Sequence, residues 1–174
     1  MVHQIKKILF TTDLSKSSIK VFERTVALAA QTGAAIVMLH VIEDGSSSSQ
    51  NRMIHLVDRE VYEKIRSESS DIVRNVLIGK QRTIPVIQNA LKQLCDETTD
   101  KVCATDQPVA IDAIEVRYGN VAEAIVAVAD EDECDLIAIG HHQKGSLLRA
   151  LMGSATGSVI KQSRIPLFLV PIEA

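Results

Sequence analysis

One segment in the last third of the chain, Gly140 to Ser154, carries the clearest chemical signal. Ile139-Gly140-His141-His142-Gln143-Lys144-Gly145-Ser146 runs through Leu147 to Met152 into Gly153-Ser154-Ala155-Thr156, where a new helix is predicted to begin. Glycines let a backbone approach a phosphate closely, and a helix N-terminus turns unpaired N–H groups and a positive dipole end toward an anion. Ser154 stands at an N-cap position, and its hydroxyl could equally reach a phosphate oxygen. Glycines also end strands and cap helices, so the spacing alone leaves a purely structural reading open. Lys144 and Arg149 in the same segment serve either as phosphate neutralisers or as ordinary solvated charges.

The other candidates are Asp13, the histidines and the cysteines. Asp13 follows the first predicted strand, where an acid is either a ligand contact or the N-cap of the next helix. His141 and His142 read as solvent-facing loop residues, because no acid or cysteine stands at metal-ligand spacing from them. His40, inside an apolar run, reads as a satisfied core or dimer-region histidine. Cys95, Cys103 and Cys134 are odd in number and lack a CxxC pair, which argues against a disulfide framework and a structural zinc. Cys134 reads as a partly buried small residue, and for Cys95 and Cys103, spaced around a predicted helix end, oxidation is only the minor reading. Enzyme signatures are missing where they would be needed. Thr11-Thr12-Asp13-Leu14-Ser15-Lys16 has no glycine for a dinucleotide or adenylating loop, and the chain has no Gly-x4-Gly-Lys-[Ser/Thr] loop. Binding groups without an evident general base point to no enzyme, or at most to weak hydrolysis.

Alternating strands and helices must position these residues. Ile5 to Thr12 is β-rich, and a helical stripe of Ile19, Phe22, Val26 and Ala29 then runs to Gly33 at a C-cap position. Ala35 to Ile42 is continuously apolar, as a central strand buried on both faces should be. Two amphipathic segments follow. Met53, Val57, Val61 and Ile65 begin one that ends near Gly79, and Ile87, Leu91 and Leu94 line the other, which Thr83 caps and Pro85 starts. A polar loop is predicted from Glu97 to Gln107. Ala110 to Arg117, Asp135 to Ile139 and Pro166 to Pro171 complete the strands, with helices over Val121 to Ala129 and Ser154 to Gln162. The fold class is α/β, a three-layer sandwich on a five-stranded parallel sheet, doubly wound and Rossmann-like, whose ligands belong outside the carboxyl ends of the strands. Asp13, Val41 to Glu43 and Gly140 onward all fall at that edge.

The 174 residues suit a single domain, 1–174, with an extended two-helix segment about 50–100. Hydrophobic residues make up 46%, charged ones 24% and aromatics only 3%, so the core must be Val, Ile, Leu and Ala. The net charge of −3 comes with scattered Lys and Arg, which excludes a nucleic-acid surface as an expectation. No apolar run is long enough for a bilayer span and the N-terminus lacks the form of a signal peptide, so no membrane association and a cytoplasmic location are expected.

Thr11-Thr12-Asp13-Leu14-Ser15 closing the first strand, Leu39-His40-Val41-Ile42, Tyr118-Gly119-Asn120 before a helix, Asp135 to Gly140 ahead of Gly153-Ser154, and Ile165 to Pro171 together resemble the universal stress protein family from end to end, the middle segment excepted. The resemblance implies an adenine nucleotide alpha hydrolase-like fold, a regulatory role in stress response, and ATP or AMP as ligand, with or without Mg. The family's Gly-x2-Gly-x9-Gly-[Ser/Thr] loop implies phosphate roles for Gly140, Gly153 and Ser154. Its middle glycine falls on Gln143, with Gly145 two residues later, and Gly-His-His-Gln resembles the founding-member subgroup, some of whose members do not bind ATP. By the same resemblance Asp13 lies against the nucleoside, Val41 offers backbone contacts to adenine, and Gly119 and Asn120 border the ribose, although a turn explains that pair equally. It also implies a homodimer through the C-terminal strand, Pro166 to Ile172. The alternative is a partner-binding dimer whose pocket takes no nucleotide.

Overall fold

A computed structural model describes residues 4–43, 80–102, 109–142 and 155–172. Within them the chain forms β1 (Lys7–Thr12), α1 (Lys16–Thr32), β2 (Ala35–Ile42), α2 (Lys80–Val102), β3 (Ile111–Tyr118), α3 (Val121–Glu131), β4 (Leu136–His142), α4 (Ala155–Gln162) and β5 (Leu167–Ile172). All strand pairs are parallel and the order is β3-β2-β1-β4-β5.

Strand periodicity divides the core into two layers. Ile8 and Phe10 of β1, Ile36 and Met38 of β2 and Ala138 of β4 pack toward Val21, Phe22 and Val26 of α1 and toward Ile87 and Leu91 of α2. Their neighbours Leu9, Val37, Leu39, Ile137 and Ile139 pack on the other face against Ile125 and Val128 of α3 and Val159 of α4. β1 and β2 are therefore buried on two sides, which is why β2 is apolar throughout except for His40.

The local signals act largely where they were expected. Gly33 takes φ 73° at the end of α1 and donates its N–H to Ala29 O at 2.8 Å. Asn120 caps α3, its side-chain oxygen accepting from the N–H groups of Ala122 and Glu123 at 3.0 and 3.1 Å.

Three expectations are corrected. The helix predicted from Thr83 starts at Lys80, which puts Pro85 inside it, and it continues to Val102 where a polar loop was predicted from Glu97. The reason is packing: Ile87, Leu91, Leu94 and Thr98 form one buried stripe, so a polar residue extends the helix against the core. Cys95 accordingly lies buried within α2 and not at an accessible helix end. His141 and His142 belong to β4, paired with Pro171 and Ile172 of β5, and not to a loop. The segment from Met53 to Gly79, and Cys103, lie outside the described residues.

The two sheet edges differ. On the β3 edge Gln88 of α2 donates its side-chain N–H to Ile114 O at 3.1 Å, and the strand carries Asp112, Glu115 and Arg117, the last pairing with Glu115 and with Glu131. The β5 edge carries Leu169, which is 37% exposed.

Candidate functional site

β1 feeds a crossover to β2 on one side, while β4 lies on its other side, so the chain switches direction across the sheet between β1 and β4. Connections leave the carboxyl ends of these strands in opposite directions, and a cleft of about 280 Å³ opens there. Its walls are the end of β1 with Asp13, the end of β2 with Val41 and Glu43, Gly140 of β4, and the first residues of α3 and α4.

A chain of hydroxyl bonds builds the β1 corner. Leu14 N–H donates to Thr12 Oγ1 at 3.0 Å, the Thr12 hydroxyl donates to Ser18 Oγ at 2.9 Å, and the Ser18 hydroxyl donates to Ser15 O at 2.6 Å. Leu14 occupies the left-handed region at φ 62° while its side chain is fully buried. Ser15, not Asp13, is the N-cap of α1. Asp13 remains exposed at the cleft, one carboxylate oxygen accepting the Ser15 N–H at 2.9 Å.

Val41 is placed by strand alternation. Ala35 N–H bonds to Lys6 O on the β1 side, whereas Ile36 N–H and Ile42 O bond to the β3 side. Val41 therefore turns its peptide groups to the β1 side, one residue past the last β1–β2 pair, Thr12 with His40. Beneath it His40 is buried, and Nδ1 lies 2.8 Å from Thr12 O. Since a carbonyl only accepts, Nδ1 carries the proton. The expectation of a core histidine holds, with Nδ1 bonded to Thr12 O, and the ring also lines the cleft.

Gly140 ends the wall formed by β4. A Cβ there would lie 3.0 Å from Ile172 Cδ1 and 3.1 Å from Val21 Cγ2, so close packing of α1 and β5 already favours a glycine. Its carbonyl accepts the Thr156 hydroxyl at 3.0 Å, which ties the end of β4 to the first turn of α4.

Gly119 takes φ 127° and donates its N–H to Ile42 O at 3.1 Å, holding β3 to β2. It does not line the cleft, and Asn120 acts as the helix cap already described. Gln143, Gly145, Gly153 and Ser154 lie outside the described residues. Asp13, Val41 and Gly140 are thus brought together, and Gly119 stands apart. Thr12, Ser18 and Thr156 are additions that the motifs did not mark. Their only signals are hydroxyls beside Asp13, three residues after Ser15, and directly after Gly153-Ser154-Ala155.

Among the described residues, the charges lining the cleft are the carboxylates of Asp13 and Glu43, with no Lys or Arg. Likewise, no group of three or more His, Cys, Asp or Glu among them could hold a metal ion, and no helix is long and apolar enough to cross a membrane. At the opposite, amino end of the sheet, burial pushes the Cys134 thiol up to about 12, which removes it from thiolate chemistry near neutral pH.

A switch-point cleft on a doubly wound parallel sheet defines the class as a Rossmann-like α/β ligand-binding fold. The chain belongs to the Universal stress protein family, whose profile matches residues 4–171. It is 27% identical over 172 residues to universal stress protein MJ0577 of Methanocaldococcus jannaschii, covering 95% of this chain and 94% of that one. Its fold is similar to that of a universal stress protein solved in complex with cAMP, at TM-score 0.60 and 18% identity over 97% and 98% of the two chains. Universal stress protein UspA from Lactobacillus plantarum is also similar, at TM-score 0.58 and 20% identity over 97% and 99%.

Proposed function

We propose that the cleft binds an adenine nucleotide, ATP or AMP, and that the chain works as a cytoplasmic, single-domain regulatory protein of stress response with little or no turnover. The observation that carries this reading is the convergence of Asp13, the Val41 peptide and Gly140 on one cleft at the switch point. Its volume, about 280 Å³, is close to the lower end of ligand pockets, roughly 300 Å³. Two carboxylates and no cation make the described wall a partner for hydroxyl and amine donors, so the nucleoside belongs at Asp13 and Val41. The phosphates then belong toward Gly140 and the start of α4, with Gly153, Ser154 and the backbone at Gln143 and Gly145 closing around them. Asp13 and Glu43 offer oxygen donors of the kind Mg takes, should ATP carry one. In this reading Gly119 supports the rim through β2 and does not touch the ribose. The cAMP complex of the structural relative supports a nucleotide in this fold.

We also propose a homodimer through β5. One sheet edge is capped by Gln88 and charged side chains, whereas the other presents Leu169. Gln143 at the middle glycine of the loop favours a second reading, membership of the founding subgroup and a partner-binding dimer that takes no nucleotide. Mass spectrometry of the supernatant from gently purified, then denatured, protein separates the two. Stoichiometric adenine nucleotide is expected, and its absence favours the second reading.

A further inference from the structure

We propose that Thr12 and Ser18 are positioning residues for Asp13, locking the turn after β1 and with it the direction from which the Asp13 carboxylate meets a ligand; the ligand half of this rests on the nucleotide reading above. The bonds run one way, from Leu14 N–H to Thr12, from Thr12 to Ser18, and from Ser18 to the Ser15 carbonyl. They bridge the turn from Thr12 to Ser15 and join it to the first turn of α1. Polar chains of this kind polarise one another, and burial strengthens them. Thr12 is 7% exposed and Ser18 3%.

Both side chains line the cleft, which would ordinarily mark them as ligand contacts. Their hydroxyl protons are already donated within the protein, so neither is left to offer one to a ligand. The turn also needs holding. Leu14 is an L residue at φ 62°, a conformation disfavoured for any side chain beyond glycine, asparagine and aspartate. Burial of its side chain and capture of its N–H by Thr12 hold it there. Asp13 lies between these fixed points, and its Oδ1 bond to Ser15 N–H depends on the same turn.

Two measurements on the full chain test this. Hydrogen exchange should show the Leu14 amide protected in the wild type and in Thr12→Ser, and exposed in Thr12→Val and Ser18→Ala while the rest of α1 keeps its protection. Calorimetric titration with ATP should show Ser18→Ala about tenfold weaker, the size of one lost buried hydrogen bond. In an Asp13→Ala background the same change should have no further effect, and Thr12→Ser should bind as the wild type does. Unaltered Leu14 exchange in Ser18→Ala overturns the clasp itself. Full additivity with Asp13→Ala overturns its link to the ligand. A wild type that binds no ATP while the exchange pattern holds overturns the nucleotide reading and the ligand half, and leaves the clasp supported.

Discussion

Gly140 shows how one residue satisfies two requirements that its sequence neighbourhood does not separate. Its position before a His-His pair reads as a glycine placed for a phosphate. Packing supplies an independent reason, because Val21 of α1 and Ile172 of β5 close over the space a side chain would fill. Neither residue is near Gly140 in the chain, so no spacing rule could show it. Gly140→Val should destabilise the fold by about 1–3 kcal/mol, the usual cost of overpacking, whatever the ligand state. The midpoint of urea denaturation reads this directly, and an unchanged midpoint would contradict the packing. Leu14 was illegible for a related reason: nothing in Thr-Thr-Asp-Leu-Ser distinguishes a left-handed leucine from an extended one until the hydroxyls of Thr12 and Ser18 are seen to close around it.

Elements were most legible where one physical demand dominated. β2 appears with the bounds its apolar run suggested, Ala35 to Ile42, since a strand covered on both faces admits little that is polar, and His40 enters with Nδ1 bonded to Thr12 O. Gly33 and Asn120 cap their helices as their types allow. The end of α2 was misread because Thr98 is polar by composition and buried by position. Tertiary contact with the core decided it. The contrast between sheet edges was also hidden, for Gln88 and Ile114 meet only after folding. Among the described residues β5 has the open apolar edge, and Leu169→Asp should place a charge in the middle of any strand pairing there. Sedimentation should then show a monomer for the variant and, as proposed, a dimer for the wild type. A variant that remains dimeric would remove β5 from the interface.

At the scale of the molecule, alternation of strands and helices was enough to predict a doubly wound sheet with its ligand edge, and the order β3-β2-β1-β4-β5 places the switch point between β1 and β4. Asp13, Val41 and Gly140, far apart in sequence, converge there because each follows a strand or lies in its last residues at the same edge. The other motif residues fare differently: Gly119 belongs to a strand connection, and Gln143, Gly145, Gly153 and Ser154 lie outside the described residues. The central claim, an adenine nucleotide in the switch-point cleft with its phosphates at the Gly140 to Ser154 loop, is tested most directly by calorimetric titration of ATP into the wild type and the Gly153→Val, Ser154→Ala double variant. Binding to the wild type and none to the variant, with the helical circular-dichroism signal unchanged, is the expected result. Equal affinity for ATP in the two proteins, or no binding by the wild type, would contradict it.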